Sequence, residues 1–234
     1  MIPQTPADAF EHTRGLTPIE GRIGWQCPSY DNSYHTYETL DLGITEEEFR
    51  SSMDRDIMRT STALTSVYVR LVDPEDRYVQ MIARHIDEHT IGYSDRMRAT
   101  AALNLVQTAI DYSYDMDTYG MDDFAATPLE TLYLGVGDCE DSSILLMSIY
   151  LAMGYDAVLL DYPTHIAVGV RWSDDMEYRL CGTTAPYTIP PTYGLWYCGD
   201  LPDIYGPADR SSVWQNLNDG IAHYRYTVKR MTGL

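Results

Sequence analysis

Two residues of this chain carry the side chains and surroundings for covalent chemistry: Cys139 and His165. Cys139 follows Gly137 and Asp138 and precedes Glu140, Asp141 and an apolar run, Ile144 to Met153, closed by Gly154. Asp138 is a good N-cap residue, so the pattern predicts a helix whose first turn holds the cysteine. A thiolate, not a thiol, attacks carbonyl carbon, and the partial positive charge of a helix N-terminus favours the thiolate. The Cys139 backbone N–H is a natural donor to a developing oxyanion. Gly137 would let the chain turn tightly ahead of the helix, and Gly154 fits the position just past its end.

His165 opens a β-rich run, His165 to Val170, that follows another at Ala157 to Leu160. Strand alternation groups His165 with the small Ala167 and Gly169, and puts Ile166, Val168 and Val170 on a core face. A histidine within hydrogen-bond reach of the thiol can hold an imidazolium–thiolate pair. On residue types alone, one Cys and one His are more often a buried thiol and a strand histidine.

The longer pattern changes that balance. Pro128-Leu-Glu-Thr-Leu132, Gly137-Asp-Cys-Glu-Asp-Ser-Ser143, Gly154-Tyr-Asp156 and His165-Ile-Ala-Val-Gly-Val170 together resemble the core of the transglutaminase-like cysteine-enzyme superfamily, most of all its archaeal and bacterial members. The resemblance covers roughly residues 94 to 190. It implies an α+β, papain-like core, with the nucleophile helix packed on an antiparallel sheet and an N-terminal helical extension in front. It also implies acyl transfer at an amide, with Cys139 as nucleophile, His165 as base and Gln107, on the preceding helix, as a candidate oxyanion donor. The substrate implied is a protein or peptide, and no cofactor or metal is expected. The family's third member, an acid just before a Thr-Thr pair, falls here on Gly182, ahead of Thr183-Thr184. A carboxylate there would orient the imidazole; Asp161, Asp200 and Asp203 are the candidates to replace it. The alternative is a catalytically inactive relative that binds protein or peptide in the same cleft. The resemblance would also bring Cys139, His165 and Cys181 together, a set suited to zinc.

The composition is acidic: 35 Asp and Glu stand against 16 Lys and Arg, giving a net charge of −19, and Lys229 is the sole lysine. Such a surface repels nucleic acid and anionic lipid, so neither is expected as a partner. The same balance suits a protein kept soluble in high salt, from a halophilic source. Cys27, Cys139, Cys181 and Cys198 show no Cys-x-x-Cys spacing and no disulfide framework. The chain has no run of 18 apolar residues and no membrane span is expected. Residues 1 to 20 lack a signal-peptide pattern, which reads as cytoplasmic, or as a fragment of a secreted or tethered protein. Nothing in the pattern fixes an oligomeric state.

The elements that must position the pair follow from periodicity and caps. Residues 1–43 read as an irregular lead-in broken by Pro3, Pro6, Pro18 and Pro28. Residues 44–92 read as a helical extension and 93–234 as the transglutaminase-like core with a loop-rich C-terminal region. Thr45 caps one helix, with Glu46, Glu47 and Glu48 in its first turn. Ser66 to Val72 reads as a strand or a helix end. Asp73-Pro74 is the expected start of a helix carrying Tyr78, Val79, Ile82 and Ile86. His85 and His89, four apart on it, read as surface histidines. Ser94 caps the next helix, to about Asp111. Tyr112 to Asp123 reads as a loop near the mouth of the cleft. Its acids, Asp111, Asp115, Asp117, Asp122 and Asp123, lack the spacing of an EF-hand calcium loop. Pro128 to Leu134 reads as a short helix.

Overall fold

The computed structural model describes residues 6–30, 35–59, 66–162, 165–172 and 179–181. In chain order they form α1 (Pro6–Thr13), β1 (Arg22–Pro28), β2 (His35–Asp41), α2 (Glu46–Met53), α3 (Ser66–Val69), α4 (Arg77–His89) and α5 (Asp95–Ala109). Then come β3 (Asp111–Tyr112), α6 (Asp115–Thr118), α7 (Pro128–Leu134), β4 (Val136–Gly137), α8 (Cys139–Ala152), β5 (Asp156–Tyr162), β6 (His165–Arg171) and β7 (Arg179–Cys181). This is a mixed α+β chain. β1 and β2 form an antiparallel hairpin, β5-β6-β7 an antiparallel sheet, and β3 and β4 a short parallel pair.

Helix α8 is the centre. Ile144, Leu145, Leu146, Met147, Ile149 and Tyr150 are all fully buried, and a helix apolar on every side must be enclosed. α4, α5 and α7 pack around it, and β5 and β6 cover the remaining side. Val168 of β6 stands opposite Cys181 of β7, and the Cys181 sulfur accepts a hydrogen bond from the Tyr150 hydroxyl at 3.3 Å. That contact fixes which face of the sheet meets α8. Ile166 to Val170 are buried throughout, on both faces of β6 rather than one.

The expected caps Thr45, Ser94 and Asp138 each accept a helix N–H. Thr45 and Glu48 make a reciprocal capping box on α2, and Thr127 and Glu130 make another on α7. Gly135 ends α7 in the left-handed region, φ 74°, and Gly154 follows α8 at φ 83°, as chain termination by glycine requires. Glu130 is also the centre of a buried knot. Arg59 grips both its oxygens, at 2.6 and 2.7 Å, and Ser52 Oγ donates to it at 2.6 Å. The pair is almost wholly withdrawn from water, and it ties the chain after α2 to α7.

Three expectations are corrected. The lead-in 1–43 is not irregular: it holds α1 and the β1–β2 hairpin, whose β1 packs on α5 and buries Ile23, Trp25 and Cys27. The helix expected from Asp73-Pro74 starts later, at Arg77, because Asp76 Oδ1 accepts from the N–H groups of both Tyr78 and Val79. Asp73 instead takes the Glu75 N–H, a local turn. The histidines of α4 are not simple surface residues. His85 accepts from Trp25 Nε1–H at 3.2 Å, its ring lies 4.2 Å from that of His89, and His89 is 3.4 Å from Glu38. Ser66 to Val69 resolves as a helical turn. One hydrophobic cluster runs from Ala9 to Cys181, so the described elements share a core.

Candidate functional site

The parallel pairing of β3 and β4 brings the chain leaving α5 alongside the chain entering α8. Asp111 stands opposite Val136 and Tyr112 opposite Gly137, and Ser113 donates to the Gly137 carbonyl at 3.2 Å. Two residues later Cys139 begins α8, with Asp138 as N-cap accepting from Glu140 N–H at 3.3 Å. Gly137 is glycine for a reason other than a tight turn. A Cβ there would lie 2.7 Å from Asp141 Cβ, so the missing side chain lets the strand close onto the first turn of the helix.

Across from this turn lies the start of β6. Ser143 Oγ donates to the Ile166 carbonyl at 3.2 Å, and the Ile166 N–H supports the Cys139 sulfur as an acceptor. His165 therefore enters β6 one residue from a backbone group that reaches the thiol. Its strand partner is Tyr162, and Asp161 pairs beside it with Ile166. Gln107 is half-buried near the end of α5, four residues before Asp111. Gly182, Asp200 and Asp203 lie outside the described residues.

The electrostatics oppose a resting thiolate. The Cys139 thiol donates to Glu140 Oε2 at 3.1 Å. Burial pushes the thiol well above its ordinary value, and the Glu140 and Asp138 carboxylates push it further. The Ile166 N–H acts the other way, too weakly to offset them. The helix N-terminus alone would lower the thiol, but burial and the two flanking acids, Glu140 and Asp138, outweigh it. The pair expected as imidazolium–thiolate is thus, on its cysteine side, a neutral thiol bonded to a carboxylate.

Beneath the turn is a set of acids that the sequence listed only as scattered residues. Single oxygens of Asp115, Asp138 and Asp141 lie within 4.8 Å of one another, as do those of Asp115, Asp123 and Glu140. Asp115 and Asp141 are buried, held by the Phe124 N–H at 2.7 Å and the Ala126 N–H at 2.6 Å. Asp115 Oδ1 and the buried Tyr119 hydroxyl make no hydrogen bond among the described residues. Burial pushes Asp115 up to about 8 and Asp138 up to about 11, with neighbouring carboxylates adding to both, and Asp141 rises for the same reasons. These groups either hold protons or share a cation. Oxygens gathered this closely are the ligand type that a hard cation such as calcium takes. Asp111, Asp117 and Asp122, grouped with them in sequence, are exposed.

Cys181 does not join Cys139. Its sulfur accepts instead from the Tyr150 hydroxyl, toward the C-terminal end of α8, and among the described residues no metal-suited group holds both sulfurs. A cleft of about 450 Å³ lined by Arg55, Val69, Arg70, Leu71 and Leu151 is likewise at the far end of α8, away from the thiol. Against known proteins, the chain matches no family model and no curated protein sequence.

Proposed function

We propose that the chain is a thiol enzyme with a transglutaminase-like, papain-like core, acting on amide bonds of a protein or peptide by acyl transfer, with hydrolysis favoured over cross-linking. The observation that carries this reading is the Ile166 backbone N–H at the Cys139 sulfur, which sets the first turn of α8 one residue along β6 from His165. The Cys139 sulfur bonds to the substrate carbonyl carbon as its proton passes to His165. Backbone N–H groups at the helix start, joined by Gln107, stabilise the oxyanion. His165 then returns the proton to the leaving amine as the C–N bond breaks, and water hydrolyses the thioester. Because burial, with Glu140, keeps the resting thiol protonated, His165 works as a general base during attack, not as half of a standing ion pair.

A second reading, a binding module without turnover, is favoured by that same protonated thiol and by Gly182 at the expected acidic position. The two separate on acylation by p-nitrophenyl acetate, read by intact mass, with Cys27, Cys181 and Cys198 changed to Ser. The enzyme reading expects one acetyl group on Cys139, absent in Cys139→Ser and slowed by about 10²–10⁴ in His165→Ala. Acetylation no faster than that of free cysteine, and indifferent to His165, assigns the binding module.

A further inference from the structure

The segment between α5 and α7 presents an exposed aromatic ridge beside the thiol. Tyr112, Tyr114 and Met116 are 39%, 58% and 44% exposed, large apolar groups that folding has left on the surface. The two tyrosine rings meet edge to face at 5.2 Å. Exposed Asp111 and Asp117 flank them, with exposed Asp122 further along the same segment. Among the described residues no ion pair neutralises these three acids. The ridge is anchored to the chain entering α8, since Tyr112 is the strand partner of Gly137. Strand spacing of about 4.8 Å plus two residues of chain places it about 8 Å from Cys139. An extended peptide covers that distance in two or three residues.

We propose that this ridge is a specificity subsite that grips a basic side chain, arginine or lysine, within three residues of the scissile amide. The proposal deepens the thiol-enzyme reading and rests on it for the word scissile. Tyrosine faces attract a guanidinium or ammonium group, the aliphatic stem of that side chain covers the apolar rim, and the flanking carboxylates supply the opposite charge. An acidic peptide meets repulsion from Asp111, Asp117 and Asp122 and from the net charge of the whole chain.

The test uses the full chain carrying Cys139→Ala, immobilised, and synthetic octapeptide pools at low salt, identified by mass spectrometry. Pools contain arginine and lysine, or glutamate, or norleucine at fixed positions and are randomised elsewhere. The expected result is about ten-fold enrichment of basic over neutral peptides, from two- to five-fold per ring, with acidic peptides depleted. Tyr112→Ala/Tyr114→Ala, exposed positions with little folding cost, should remove the ring share of the enrichment, about two- to five-fold per ring. Equal retention of the three pools, or enrichment undiminished in the double variant, overturns the subsite. Charge-selective retention by a chain that fails the acylation assay keeps the subsite and discards the enzyme; acylation without charge selection does the reverse.

Discussion

Replacing Glu140 by glutamine removes the negative charge that the Cys139 thiol now faces while keeping a group of the same shape. The thiol-to-carboxylate distance is 3.1 Å, and the centre of the carboxylate charge lies slightly farther out. At about 4 Å and an effective dielectric near 20, two unit charges interact by about 4 kcal/mol, equivalent to about three pKa units. The sulfur is only part-buried, so water screening reduces this, and the expected fall is about one to three units. A lower pKa means more thiolate, so alkylation by iodoacetamide at pH 8 should rise by about 10- to 1000-fold. The assay is the alkylation rate against pH in a background lacking Cys27, Cys181 and Cys198, with Cys139→Ser as blank. Glu140→Asp retains the charge and should keep most of the elevation. A rate profile unmoved by Glu140→Gln, in a protein with an unchanged melting curve, refutes the assignment of Glu140 as the group that holds the proton.

Four further outcomes are expected. Asp115, Asp138 and Asp141 have folded-state values raised above the usual carboxylate range, so the folded chain holds protons that the unfolded chain releases near pH 4. Their contribution is therefore full below about pH 4 and is lost as pH rises through the raised folded-state values, about 8 for Asp115 and about 11 for Asp138; urea midpoints should fall across the alkaline side, less steeply in Asp141→Asn. Millimolar calcium should offset the loss near pH 8 and have no effect on Asp115→Asn/Asp141→Asn, whereas an unmoved midpoint in the parent chain removes the cation option. Glu130→Ala strands the buried Arg59 guanidinium and should cost about 3–5 kcal/mol in urea unfolding. Gly137→Ala places a methyl 2.7 Å from Asp141 Cβ and should cost about 1–3 kcal/mol by overpacking, with a normal melt counting against the close approach.

What could be read from the sequence was what neighbouring residues settle among themselves. Asp138 and Gly154 define α8 by local cap chemistry, and Thr45 caps α2 as its type predicts, whereas the Thr127–Glu130 box on α7, equally local, was not anticipated. What was missed depends on distant chain. β2 reads His-Thr-Tyr-Glu-Thr-Leu-Asp, with too few apolar residues to signal a strand, and it exists because β1 gives it a partner. Asp73 ahead of Pro74 has the local look of a cap, yet the free N–H groups of Tyr78 and Val79 meet Asp76 instead. Gly137 looks like a turn residue until Asp141 is seen against it. The acids of Asp115 and Asp141 are 26 positions apart in the chain, and only the β3–β4 pairing makes them neighbours. Burial, more than the adjacent Glu140 and Asp138, is what turned the expected thiolate into a thiol.

The same two-residue pairing has a consequence for the order of assembly. α8 is strongly apolar and its caps are local, so it can form early. The register of Tyr112 against Gly137 closes a long excursion of chain for very few hydrogen bonds, and the entropy of that closure must be met before any contact repays it. Cys139 should therefore remain open to solvent in a collapsed, helical intermediate and become shielded only at the last step. Pulse alkylation during refolding would then make this sulfur a clock: labelling that persists after the helical signal has reached its final value marks late closure, and labelling lost in step with it marks a single cooperative event.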